Sequence, residues 1–157
     1  MSIEKVREYL KSYNKDGDII EFNVSSATVE LAAAALGCDG ARIAKSMTFE
    51  GQDGVIMVVC AGDVKVDNAK FKGKFGVKAK MLSPDTLPEL VGHAMGGVCP
   101  FALRENVKVY LDLSLKRFDT VYPACGSSNS AIPLSCDELQ SLSGCAQWVD
   151  VTKPREV

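Results

Sequence analysis

A single lysine lies inside a segment whose other residues are typical of a strand. Lys45 follows Ile43 and Ala44 in a stretch that ends at Phe49. An unpaired ammonium is costly to bury, so this side chain either faces solvent on a half-exposed strand or points into a pocket. Composition alone favours the solvent-facing arrangement. In a pocket, the ammonium would hold an anionic or carbonyl group of a ligand.

Two loops of small residues could supply backbone N–H groups to the same ligand. The first loop consists of Gly96, Gly97, Val98, Cys99 and Pro100. Its paired glycines allow a close backbone approach, and its proline stiffens the exit. The second loop runs from Ala124 to Ser130 and contains Gly126 and Ser127. Either loop is a candidate wall for an oxyanion or carboxylate pocket, and either could instead be an ordinary turn.

A thiol and an imidazole offer a different chemistry. Cys99 and His93 lie six residues apart and could form a nucleophile with its base. No signature of a known cysteine hydrolase surrounds them, and no GxSxG serine motif is present. A cysteine hydrolase or redox protein that uses Cys99 is therefore a second hypothesis.

The six cysteines and the single histidine argue against a metal site. No pair of cysteines has CxxC spacing, so we expect neither zinc nor another metal. GxGxxG and GxxxxGK[ST] motifs are also absent, and we expect no cofactor. The first residues do not form an apolar signal core, so we expect a cytoplasmic, membrane-free protein whose cysteines are reduced. At least four of them should be buried as small apolar residues.

The charge is weakly acidic overall but locally basic. The net charge is −2 and the pI is about 5.4, which argues against a general nucleic-acid binder. Between Lys65 and Lys80, however, six lysines accompany only Asp67. This lysine strip is either a solvated helix face or a surface for phosphates. The second reading supports a third hypothesis, a catalytically silent module that binds tRNA or a synthetase.

Hydrophobic periodicity predicts how the chain positions these residues. Helices are expected over 3–13, from an N-cap at Ser25 to Leu36, over 67–75, from Ser83-Pro84 onward, and from the Ser135 capping box to about Leu142. Strands are expected over 18–22, 43–49, 55–61, 107–112, 120–123, 131–134 and 146–151. This irregular alternation predicts a single α+β (mixed α/β) domain over 1–157, built around a strongly curved sheet.

The order and spacing of these motifs resemble one family. The chain is similar to the YbaK/EbsC group, which is related to the editing domain of bacterial prolyl-tRNA synthetases. The resemblance extends from about Gly17 to Val151. It rests on the strand lysine Lys45, on the GxxxP loop from Gly96 to Pro100, and on the late Gly126-Ser127 pair.

The resemblance implies a curved, barrel-like mixed sheet surrounded by helices. It also implies a free-standing deacylase that hydrolyses the ester between a wrongly attached amino acid and the terminal adenosine of tRNA. It implies that Lys45 is the essential lysine, that the GxxxP loop lines the aminoacyl pocket, and that Gly126 also borders it. The implied partners are aminoacyl-tRNA, with tRNA(Pro) foremost, and prolyl-tRNA synthetase. The substrate itself would assist through a ribose hydroxyl or a cysteine thiol. Cysteine-editing relatives carry charges after the late glycine, whereas this chain has Ser127 to Ala131, so cysteine, alanine and serine are equal candidates.

Overall fold

The centre of the computed structural model, which describes residues 2–155, is a five-stranded mixed sheet. In chain order the strands are β1 (Ile20–Glu21), β2 (Ile43–Glu50), β3 (Val55–Ala61), β4 (Val64–Val66), β5 (Val107–Asp112), β6 (Tyr122–Pro123), β7 (Ser130–Ala131), β8 (Gln147–Val149) and β9 (Thr152–Pro154). The central sheet has the order β6-β2-β3-β5-β8, with β2 and β3 antiparallel and its other pairs parallel. Two small antiparallel pairs, β1 with β7 and β4 with β9, complete the strands.

Five α-helices and several 3-10 turns surround the sheet. The α-helices are α1 (Ser2–Lys11), α2 (Val29–Leu36), α3 (Asn68–Phe75), α4 (Leu87–Leu90) and α5 (Cys136–Ser143). The capping box predicted at Ser135 is confirmed, because its hydroxyl accepts from the Glu138 N–H while the Glu138 carboxylate accepts from the Ser135 N–H. Within residues 2–155, no helix is long and apolar enough to cross a bilayer.

Hydrophobic residues pack on both faces of the central sheet. On one face, α1 contributes Val6 and Leu10 to the larger cluster, which includes Met57 of β3. On the other face, Phe71 of α3 packs against Phe49 of β2 in the smaller cluster. Because side chains alternate along a strand, β3 is buried on both sides, as its continuous apolar sequence predicts. The predicted α+β class with a mixed sheet is confirmed.

The helix start predicted at Ser25 is wrong. The N-cap of α2 is Thr28, whose hydroxyl accepts from the Leu31 N–H at 3.1 Å. Residues 25–28 instead form a segment tied to the second small-residue loop, because the Ser26 N–H donates to the Ser128 carbonyl at 2.6 Å. Both serine and threonine can cap a helix, so this tertiary contact decides between them.

The strand predictions fail mainly where strands are very short. Residues 131–134 divide between β7 and an isolated bridge from Leu134 to Val121. The three residues of β4 were not predicted, since a run of that length carries too little periodicity. Its pairing with β9 depends on a partner distant in the chain.

Candidate active site

A cavity of about 250 Å³ lies against β2 and the start of α2, and we call it the first cavity. Much of its wall is small or apolar, contributed by Ala27, Ala32, Ala44, Val98, Ala124 and Ala131. Hydroxyl-bearing residues interrupt that wall: Ser26, Thr28, Ser46, Thr48, Tyr122 and Ser130. The cavity therefore suits a small group that carries both apolar and hydrogen-bonding atoms.

Strand geometry presents one side of β2 to this cavity. Ala44, Ser46 and Thr48 alternate along β2 and line the cavity together. The Ser46 hydroxyl is buried and has no hydrogen-bond partner among the described residues. A buried hydroxyl without a partner is costly, so it gains from a ligand that offers one.

The N-terminus of α2 also reaches the first cavity. Thr28 and Val29 line it. The first-turn amides of a helix have no intrahelical acceptor, and they lie at the positive end of the helix dipole. This end of α2 can therefore favour a developing negative charge on a bound ligand.

Lys45 borders the first cavity but is already engaged. By strand alternation its side chain leaves β2 on the face opposite to Ala44 and Ser46. The half-buried side chain donates a hydrogen bond from Nζ to the Val64 carbonyl of β4. Its charge lowers the pKa of Asp63 as a minor contribution, after the hydrogen bond and charge of Arg117. The ammonium is thus held against β4, on the side of β2 opposite to Ser46, and not inside the cavity.

The GxxxP loop sends its residues in different directions. Gly96 and Val98 line the first cavity, whereas Gly97 and Cys99 do not. A Cβ on Gly97 would come within 2.7 Å of the Gly126 carbonyl carbon. Pro100 lies by another surface depression, beside Tyr9. The paired glycines therefore have separate roles, since one contacts the cavity and the other allows two backbones to touch.

Gly126 and Ser127 also lie outside the first cavity. Gly126 has φ of +91°, and a Cβ there would meet the Ser2 carbonyl oxygen at 2.8 Å. The buried Ser127 hydroxyl donates to the Ser130 hydroxyl at 2.7 Å. With Gly97, these residues line a second cavity of about 390 Å³, which we call the second cavity. The sequence-predicted site residues therefore divide between two neighbouring cavities.

Cys99 and His93 do come together, yet in a closed environment. The Cys99 Sγ lies 3.5 Å from His93 Nε2, which also contacts the Phe101 carbonyl at 2.7 Å. Both residues are buried. Burial raises the pKa of the Cys99 thiol to about 12 and lowers the pKa of His93. A nucleophilic thiolate needs the opposite environment, so this pair belongs to the core.

The remaining cysteines and lysines have ordinary surroundings. All six thiols are free, but only Cys60, Cys99 and Cys125 are buried, so the expectation of at least four is wrong. The strip lysines are exposed. Lys70 pairs with Asp150 at 3.1 Å, and Lys80 with Glu50 at 3.3 Å. Helix α3, which carries three of the strip lysines, packs on the sheet face opposite to that of Ala44 and Ser46.

Several cavity residues were not singled out from the sequence. Met81 and Met95 line the first cavity and remain 59% and 71% exposed. No local pattern marks these methionines. Ser26 and Thr28 carried a usable signal, since a cluster of hydroxyl residues before a helix is also a cluster of hydrogen-bond donors.

Comparisons with known proteins identify the family of this chain. Residues 24–142 match the family model for the aminoacyl-tRNA editing domain. The chain is 52% identical over 157 residues to the uncharacterized protein YwhH of Bacillus subtilis (strain 168), covering 99% of this chain and 100% of that one. It is 24% identical over 127 residues to a candidate Cys-tRNA(Pro)/Cys-tRNA(Cys) deacylase, EbsC of Enterococcus faecalis, covering 80% and 77% of the two chains. A crystal structure of a candidate trans-editing enzyme for prolyl-tRNA synthetase superposes with a TM-score of 0.87, at 27% identity and 97% coverage of both chains.

The chain belongs to the aminoacyl-tRNA editing domain family. Members of this family are aminoacyl-tRNA deacylases, which are hydrolases of an ester bond. The family resemblance and the enzyme class predicted from the sequence are confirmed.

Proposed function

We propose that this protein removes a small, wrongly attached amino acid from tRNA(Pro), acting separately from the synthetase. The observation that carries the proposal is the size and lining of the first cavity. Its volume of about 250 Å³ lies below the roughly 300–1,000 Å³ typical of sites for drug-sized ligands. Alanine side chains and hydroxyls around it suit cysteine, alanine or serine as the acyl group.

The chemistry requires no nucleophile from the protein. An aminoacyl ester is already activated, so water or a neighbouring substrate hydroxyl can attack it once the ester is positioned. The first-turn amides of α2 and the Ser46 hydroxyl are the donors we assign to the developing oxyanion. The closed environment of Cys99 fits this mechanism, since no thiolate is needed.

Lys45 acts in this proposal as an electrostatic anchor. Its ammonium would exchange the Val64 carbonyl for a carbonyl or phosphate oxygen of the substrate. This exchange requires the flexible four-carbon stem to carry the ammonium from its side of β2 to the cavity border, where Lys45 is part of the lining. Gly96 and Val98 are assigned to the aminoacyl pocket, while Gly97, Cys99, Pro100, Gly126 and Ser127 support it from outside.

A deacylation panel tests the proposal. The wild-type protein should release at least one of Cys, Ala and Ser from tRNA(Pro) faster than it releases Pro. Lys45→Ala should lower kcat/KM about 100- to 1,000-fold, the loss typical of one preorganised donor. Lys65→Ala, which removes an exposed lysine from β4, should leave the rate unchanged.

Two controls separate catalysis from folding. Lys45 also ties β2 to β4, so Lys45→Met keeps the apolar stem while removing the charge. A melting temperature near that of wild type with lost activity supports the anchor. Binding of tRNA without release of any of these amino acids would contradict the proposed function and favour a catalytically silent module.

A further inference from the structure

The second cavity is a direct neighbour of the first. Met95 lines both cavities. On one wall, Gly96 faces the first cavity while the next residue, Gly97, faces the second. On another wall, Ser130 lines the first cavity and Ser128 the second. A ligand that leaves the first cavity past Met95 therefore enters the second.

The second cavity has a positive lining. Lys5 of α1 and Arg104 project to it from elements far apart in the sequence, and its described lining contains no carboxylate. Both charges act on the same buried ring, because each contributes to the lowered pKa of His93 after the larger effect of burial. The Arg104 guanidinium also donates a long hydrogen bond of 3.5 Å to the Pro88 carbonyl. Glycine backbones and the exposed Ser128 leave room between the cations.

We propose that the second cavity binds a phosphate group of the nucleotide that carries the ester, with Lys5 and Arg104 as its cations. The proposal rests on the proposed function, since it takes the aminoacyl group to lie in the first cavity. The ester joins that group to a ribose, which we place at the mouth beside Met95 because this residue also lines the second cavity. The phosphate on the same nucleotide then falls within reach of the adjoining positive cavity.

The lysine strip is a poorer candidate for this first phosphate. Helix α3, which carries Lys70, Lys72 and Lys74, packs against the sheet face opposite to that lined by Ala44 and Ser46. Lys70 and Lys80 are already paired with Asp150 and Glu50. The strip can therefore serve as a matched control of equal charge and exposure.

The decisive experiment compares two small esters of adenosine. One is 3′-aminoacyl-adenosine and the other is the same ester with a 5′-phosphate, both carrying the amino acid released fastest in the panel. Wild-type protein should cleave the phosphorylated ester with kcat/KM about tenfold higher, through a lower KM, as expected for charge-assisted hydrogen bonds. In the double variant Lys5→Ala/Arg104→Ala, this ratio should fall to near one.

The control variant carries Lys72→Ala/Lys78→Ala, which removes two exposed strip lysines. It should keep the full preference for the phosphorylated ester. A preference that survives in Lys5→Ala/Arg104→Ala, or that disappears equally in the control, overturns the proposal.

A binding measurement separates this proposal from the function on which it rests. We expect an RNA hairpin that ends in CCA and carries no amino acid to bind the Lys5→Ala/Arg104→Ala variant about tenfold more weakly than it binds wild type. The Kd of the variant should also depend less steeply on salt concentration. If neither ester is cleaved but binding changes in this way, the deacylase function fails and the phosphate site stands. If both esters are cleaved at a ratio that the double variant leaves unchanged, the phosphate site fails and the function stands.

Discussion

The GxxxP loop presents two unlike surfaces to the rest of the molecule. On one side, Gly96 and Val98 line an open cavity in which the described residues supply hydroxyls but no thiol and no imidazole. On the other side, Cys99 meets His93 at 3.5 Å, which is the spacing of a nucleophile and its base, in a site closed to solvent. Residue type would place the chemistry at the second surface, whereas access and solvation are the reasons for which we propose the first.

The difference shows that burial reverses the meaning of a reactive pair. A thiolate costs too much in an apolar interior, so the Cys99 proton stays in place. An aminoacyl ester is already activated, so it needs only correct positioning and hydrogen-bond donors for its oxyanion. Small residues can supply both, because they leave the backbone accessible. The following changes test the two sides of the loop, beginning with the contact that joins it to the second small-residue loop.

Gly97→Ala should have the largest effect, because its Cβ would overlap the Gly126 backbone at 2.7 Å. We expect the free energy of unfolding to fall by about 2–3 kcal/mol, as in other overpacked interiors. Gly73→Ala, at a helical glycine with open space around it, should instead gain about 0.5–1 kcal/mol. Chemical denaturation of both variants measures the contrast, and equal stabilities would show that the backbones need not touch.

Ala124→Leu tests the open side by filling the first cavity. We expect kcat/KM for deacylation to fall at least tenfold, since pockets discriminate about 10- to 200-fold per methylene. Ala69→Leu adds the same volume on exposed α3 and should leave the rate unchanged. An active Ala124→Leu protein with wild-type kinetics would place the aminoacyl group elsewhere.

His93 tests the closed side through pH. Burial holds its pKa below the ordinary value of 6.5, so the unfolded chain binds the proton more readily. The contribution of neutral His93 to folding stability is therefore complete above pH 6.5. It is lost as the pH falls from 6.5 toward the pKa of His93 in the folded protein, by at most about 1.4 kcal/mol per pH unit. His93 is the only histidine, so unfolding of wild type and His93→Gln between pH 7.5 and 5.5 isolates it. A pH slope that persists in the variant would assign this loss of stability to other groups.

Cys99→Ala should have the smallest effect on activity. We expect kcat/KM within about twofold of wild type, because the thiol neither faces the first cavity nor ionises near neutral pH. In native protein, Cys38, Cys136 and Cys145 should react with a thiol reagent well before Cys60, Cys99 and Cys125. Rapid inactivation through Cys99 would restore the cysteine hydrolase hypothesis.

The strongest local signals predicted the elements correctly. The apolar run of β3 and the capping box of α5 each carry enough information within a few residues. The prediction that Ser25 caps α2 is wrong because Ser25 and Thr28 are both suitable capping residues. The contact between Ser26 and Ser128, about a hundred positions away, decided in favour of Thr28. β4 was missed because its strand partner lies far along the chain.

The sequence by itself determined the fold class and the family. It also singled out three segments that the structure places around the two cavities: the strand of Lys45, the GxxxP loop and the Gly126 turn. Only the tertiary structure decided which side of each segment meets a cavity. Neighbouring side chains of a strand point to opposite faces, so Lys45 reaches Val64 while Ser46 lines the first cavity. In the GxxxP loop the path of the backbone decides, and Gly96 and Gly97 line different cavities. Burial likewise depends on packing between segments far apart in the chain. The sequence could therefore suggest that His93 and Cys99 form a pair, but only the structure shows that both are buried away from solvent.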